Sequence, residues 1–134
     1  SGIPESELVN VHRGATLLKD LGAGGPALLV FVSGECGSCK EIIQRIPNWE
    51  DQLGTGFAIN VATSSRPDIV RSRLAVDDEH LFYGSRSARE ALGVTSVPAA
   101  VALGDDQNRI LASPVVFGSR QIETLVEALV QARV

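Results

Sequence analysis

Two side chains in this sequence are suited to redox chemistry, and they stand three positions apart. Cys36 and Cys39 are its only cysteines and bound the segment Cys36-Gly37-Ser38-Cys39. A dithiol that cycles between two redox states needs sulfurs close enough to bridge, with one of them exposed and ionised. At the start of a helix a spacing of three brings both side chains to one face. The unpaired N–H groups there, with the positive end of the helix dipole, favour a thiolate. Cys36 is expected at the cap position as nucleophile. Cys39, one turn in, is expected as the resolving thiol that attacks a mixed disulfide formed on Cys36. The neighbours oppose each other, because Glu35 disfavours ionisation of Cys36 and Lys40 favours it. Val30, six residues before Cys36, offers no carboxylate to take the proton of Cys39, which leaves water or Glu41.

Blander readings of the pair are weaker. Half of a zinc site can look like this, but zinc takes four ligands. Only His12 and His80 remain to complete it, far apart and without knuckle-like spacing, so no metal and no cofactor is expected. A structural or vestigial pair is disfavoured because C-x-x-C directly after a strand more often marks a redox motif. Inert buried thiols fit poorly with the small, polar flanks Gly34 and Ser38.

The elements that must position the dithiol follow from periodicity. Ala27 to Ser33 is an apolar run between Pro26 and Gly34, the pattern of a strand covered on both faces. The cysteines follow at once, and Ile42, Ile43, Ile46 and Trp49 then recur at helical spacing. Pro47 is expected to kink or end that helix near Ile46, with Trp49 and Leu53 packing on a second segment. Upstream, residues 1–14 read as a loose lead-in, with a short helix or edge strand around Leu8 to Val11. Ala15 to Leu21 suits a short amphipathic helix stopped by Gly22-Ala23-Gly24-Gly25-Pro26.

Downstream, Phe57 to Ala62 reads as a second interior strand, Asp68 to Val76 as a helix and Leu81 to Tyr83 as a short strand. Ser87-Ala88-Arg89-Glu90 has capping-box spacing for a helix that Gly93 stops. Val94 to Pro98 delivers the chain into a strand over Ala99 to Leu103. A turn at residues 104–108 then returns Arg109 to Ser113 as a hairpin partner. Ser119 is the expected N-cap of a last helix, with Ile122, Leu125, Val126, Leu129 and Val130 on one stripe. The whole is an α/β domain over residues 15–134.

Composition narrows the function classes. The 134 residues are 44% hydrophobic and 21% charged, enough for one core without a disulfide framework. The net charge of −4 and the lack of any Lys/Arg run argue against nucleic acid. The longest apolar run, Ala27 to Val32, is far short of the roughly 20 residues a membrane helix needs. The sequence has no Met and starts Ser1-Gly2, which reads as a cloning remnant in place of a natural N-terminus. A signal or membrane tether upstream is compatible with that reading.

Three separated features together resemble the thioredoxin superfamily: the strand leading to Cys36-Gly37-Ser38-Cys39-Lys40, the Val97-Pro98 step into a strand, and Phe117-Gly118-Ser119 before the last helix. The stretch Asp68 to Val94, with Tyr83 to Val94 before the proline loop, resembles the extra strand and helix of the TlpA, ResA and MauD-like branch. The resemblance implies a three-layer fold, a central mixed sheet with helices on both faces. It implies that Pro98 is cis and faces the dithiol, and that Gly37, Ser38, Val97 and Pro98 contact the substrate. It further implies disulfide exchange with client proteins, more in the sense of a reductase, fed by an upstream electron donor. The setting implied is extracytoplasmic and often membrane-tethered, and the chain is expected to be a monomer. The alternative is a thioredoxin-like binding or assembly module with incidental redox activity. Departures from the family pattern are Glu35 for the usual aromatic, Ser38 for the common proline, and the late position of Pro47 in its helix. A peroxiredoxin resemblance rests on Ser33 alone, since Leu29 stands where that family has proline.

Overall fold

The computed structural model describes residues 5–74, 76–106 and 109–132, so Ser1-Gly2 and the Gln107-Asn108 step of the expected turn lie outside the described residues. Its first elements are a hairpin of β1 (Glu7–Asn10) and β2 (Gly14–Leu17), organised by one buried side chain. Asn10 Oδ1 accepts from the His12 and Arg13 amides at 3.0 and 3.1 Å, closing an Asx turn. Its Nδ2 donates to the carbonyls of Asp78, Glu79 and Leu81. β1 is therefore no edge strand, being bonded to β2 on one side and to Leu81–Tyr83 on the other.

The helix expected over Ala15–Leu21 is corrected. Strand pairing takes Gly14–Leu17, and helix is confined to α1 (Asp20–Ala23). Leu17, Leu18 and Leu21 carry a helical spacing, but the Leu18 amide bonds to the Ser6 carbonyl at 2.7 Å and its side chain is fully buried. A long-range pairing has overridden a local period.

β3 (Ala27–Val32) has all six residues buried and leads through a short loop into α2 (Gly37–Leu53). The break expected near Ile46 does not occur, and α2 runs through Pro47. The proline removes one backbone hydrogen bond. Ile42, Ile43, Trp49 and Leu53 nonetheless form one buried stripe on both sides of it. Trp49 Nε1 also donates to the Glu123 carboxylate at 3.0 Å on α5 (Gly118–Ala132), and Arg45 pairs with the same carboxylate at 3.1 Å. Each buried large apolar side chain contributes about 1.5–3 kcal/mol, so the stripe outweighs the proline.

β4 (Ala58–Thr63), α3 (Pro67–Leu74), a 3-10 turn (Asp78–His80) and β5 (Leu81–Tyr83) follow. α4 (Arg86–Leu92) starts one residue before the expected capping box, with Ser85 at its N-cap. Glu90 turns outward instead, to Arg86 Nε at 3.3 Å. Gly93 ends α4 in left-handed backbone at φ 78°, as its sequence position predicts. β6 (Ala99–Asp106) pairs with β7 (Arg109–Ala112) and with β8 (Val116–Phe117), which is too short to show a period. α5 begins at Gly118, one residue ahead of the expected cap Ser119.

The sheet runs β2-β1-β5-β4-β3-β6-β7, with β8 also on β6. β3, β4 and β5 are mutually parallel, and β6 is antiparallel to β3. Its two faces carry separate cores. Leu28, Val30 and Val32 pack with α2, α3 and α5, whereas Ala27, Leu29 and Phe31 face Leu18, Ala88 and Val94. Helices thus cover both faces of a mixed sheet, the expected three-layer α/β architecture.

Candidate active site

Because β3 ends at Val32 and α2 begins at Gly37, the chain turns a corner just where the cysteines lie. Cys36 is the N-cap of α2, in extended backbone, and its Sγ accepts from the Cys39 amide at 3.2 Å. The two residues are joined as a disulfide, with Cα atoms 5.3 Å apart. Cys36 is half-buried, Gly37 and Ser38 are exposed, and Cys39 is fully buried. The exposed end of the pair is therefore Cys36. Ser38 Oγ lies 3.6 Å from its sulfur.

Hydroxyl groups hold the corner. Ser33 Oγ accepts from the Glu35 amide at 3.2 Å, and the Cys36 amide bonds to the Ser33 carbonyl at 3.3 Å. Ser65, just past β4, accepts from the Gly34 amide at 3.2 Å. Its own amide bonds to Thr63 Oγ1 at 2.9 Å. Gly34 is pressed against α3, because a Cβ there would lie 2.7 Å from Ile69 Cγ2. The sequence reading missed Ser65, Gly34 and Ile69 as parts of the site. Its only usable signal was the polar Thr63-Ser64-Ser65 run that closes a buried strand.

The proline loop completes the site. Val97-Pro98 is a cis peptide bond, and the Val97 carbonyl oxygen lies 3.9 Å from Cys36 Sγ. The Gly118 amide donates to the Pro98 carbonyl at 2.9 Å, so the start of α5 anchors the loop. All six sequence-predicted positions thus fall into two adjacent segments, Cys36 to Cys39 and Val97 to Pro98. Thr95 and Ser96 are exposed beside them. Of the groups around the dithiol, Glu41 is exposed and lies 3.9 Å from Arg45.

His12 and His80 sit elsewhere. His12 Nε2 is 3.8 Å from Asp78, and His80 Nδ1 is 3.3 Å from Asn60 Oδ1. Among the described residues the one cluster with metal-ligand spacing is Asp77, Glu79 and His80, which includes no cysteine. A cavity of about 770 Å³ between Arg13, Glu50, Gly54 and His80 lies at the amino ends of β3 and β4, away from the dithiol. No described helix is long and apolar enough to cross a membrane.

No protein-family model matches the chain, and no curated protein matches it in sequence. Solved structures do. The thioredoxin domain of a thiol-disulfide oxidoreductase from Bacteroides vulgatus superposes with a TM-score of 0.70 at 16% identity, over 97% of this chain and 96% of that one. A protein from Chlorobium tepidum described as thiol:disulfide interchange protein DsbE gives 0.69 at 20% identity, over 98% and 94%. The exposed lipoprotein thioredoxin of Streptococcus pneumoniae gives 0.57 at 19% identity, over 93% and 99%. Together with the Cys36–Cys39 corner and the cis Val97-Pro98 bond beside it, these likenesses define the fold: the chain is thioredoxin-like. Its cysteine pair is at bonding distance at the carboxyl end of the central strand.

Proposed function

We propose that this chain is a protein thiol-disulfide oxidoreductase of the TlpA, ResA and MauD-like kind, acting on client proteins outside the cytoplasm as a reductase. The observation that carries the reading is the asymmetry of the pair: Cys36 half-exposed at a helix cap beside the Val97 carbonyl, Cys39 fully buried one turn behind it. The Cys36 thiolate attacks one sulfur of the client disulfide, forming a mixed disulfide and expelling a client thiolate. Cys39 then attacks Cys36 sulfur, releases the second client sulfur and passes its proton to a departing thiolate. The client gains two electrons, and the chain is left with the Cys36–Cys39 bond. An upstream dithiol restores it. The exposed Gly37 and Ser38, with the Val97-Pro98 edge, form the surface that meets the client strand. Structural likeness to an exposed lipoprotein thioredoxin supports the extracytoplasmic setting.

Reduction of a model protein disulfide tests the reading. Cys36→Ser is expected to abolish dithiol-dependent turnover, and unchanged turnover overturns the mechanism. A redox titration of the couple tests the direction, since thioredoxin-like potentials run from about −270 mV for reductants to −120 mV for oxidants. A value at the oxidising end would overturn the reductase assignment. A reduced Cys36 that resists alkylation would favour a binding module instead.

A further inference from the structure

At the carboxyl ends of β4 and β5, the same end of the sheet as Cys36, lies a cavity of about 410 Å³. Ser64, Ser85, Arg86, Arg89, Glu90 and Val94 line it. Ligands of open α/β sheets bind at this end of the strands. Two polar atoms there are buried without a hydrogen-bond partner in the protein, Ser85 Oγ and Arg89 Nε. Ser85 as a whole is 1% exposed. The two residues are one helical turn apart, linked by the Arg89 amide to the Ser85 carbonyl at 2.8 Å, so their side chains share a face.

Leaving such groups unpaired forfeits their hydration with nothing in return, and the loss is greater for a charged one. An isolated guanidinium N–H therefore needs a reason. The rest of the guanidinium is held in place, because Arg89 Nη1 donates to Ser64 Oγ at 3.3 Å. Glu90 also lines the cavity, but it pairs with Arg86 at the exposed rim. Among the described residues no carboxylate pairs with Arg89. What remains is a positive charge and two unpaired donors, O–H and Nε–H, buried in the cavity wall. A carboxylate satisfies them, since its two oxygens match a guanidinium edge plus a neighbouring hydroxyl.

We infer that this cavity is a carboxylate subsite that receives an Asp or Glu side chain of the client polypeptide. The inference rests on the disulfide-exchange reading above, which places an extended client chain along Val97-Pro98. Val94 lies three residues before Val97, and Ser64 adjoins Ser65, which holds the Cys36 loop. At about 3.3 Å per residue, a client strand reaches the cavity within a few positions of its own cystine.

Two experiments test it. Sodium acetate is titrated into the ¹⁵N-labelled protein at constant ionic strength, with inorganic phosphate as a second arm. A saturable acetate-dependent shift of the Arg89 Nε–Hε resonance and of the Ser85 and Glu90 backbone amides is expected, the amide shifts being lost in Arg89→Lys and weakened in Ser85→Ala. No shift, or one equal with phosphate, overturns a carboxylate site. Disulfide-linked model peptides carrying Glu or Gln at successive positions are then compared as substrates. About a tenfold Glu-over-Gln preference in kcat/KM at one position is expected, collapsing towards one in Arg89→Lys and in Ser85→Ala. Equal rates for Glu and Gln at every position, or a preference that persists in both variants, overturns delivery by a client. An acetate shift without any peptide turnover sinks the exchange reading and the client with it, while the anion site itself stands.

Discussion

Ser65 and Gly34, thirty-one residues apart in sequence, are joined by a 3.2 Å hydrogen bond that ties the end of β4 to the loop presenting Cys36. That bond is long-range, part-buried and without a backbone substitute. Ser65→Ala leaves the Gly34 amide without this acceptor, at a cost of about 1 kcal/mol. Denaturant midpoints are expected to fall accordingly. The alkylation rate of reduced Cys36 is also expected to change, because the loop loses its lateral anchor. An unaltered alkylation rate would show that the loop is held by Ser33 alone.

Gly34 itself is expected to tolerate no side chain. With Ile69 Cγ2 2.7 Å from where a Cβ would stand, Gly34→Ala forces α3 or the loop to move. Overpacking of this kind costs about 1–3 kcal/mol. Ile69→Ala removes the clashing methyl, so in the double variant the two effects are expected to be non-additive, with Gly34→Ala costing less in the Ile69→Ala background. Simple additivity in urea unfolding would contradict the contact.

Trapping separates the roles of the two cysteines. Cys39→Ala cannot resolve a mixed disulfide, so it is expected to accumulate covalent client adducts on non-reducing gels, well above Cys36→Ala. The reverse result would exchange nucleophile and resolving thiol.

Pro47 is exposed in the middle of α2, where it removes a hydrogen bond and contributes little packing. Pro47→Ala is expected to raise stability by about 2 kcal/mol, the helix gain of about 3 kcal/mol being reduced by up to about 1 kcal/mol of unfolded-chain entropy. Thermal unfolding with Trp49 fluorescence, the chain's only tryptophan, reads this directly.

What the sequence disclosed, and what it hid, divides along one physical line. Ala27–Val32 announced a central strand because complete burial leaves an unbroken apolar run. Cys36 and Cys39 announced their corner because a spacing of three has a local meaning. β2 was hidden behind Leu17, Leu18 and Leu21, since its pairing with β1 depends on a turn that Asn10 fastens to residues 78–81. The unbroken α2 was hidden because its integrity comes from Trp49 meeting Glu123, 74 positions on. Ser65 and Arg89 were illegible as site residues for the same reason: each acts through a partner distant in sequence.

Val97 packs against the hydrophobic clusters on both faces of the sheet. A shift of the loop to suit a different client would disturb two close-packed layers at once, and such interiors resist deformation. The edge beside Cys36 is in effect a rail rather than a hinge. Under the proposed disulfide exchange, a client would have to bring a backbone already able to lie straight along it, which would make local unfolding of the client around its disulfide the step on which selection turns.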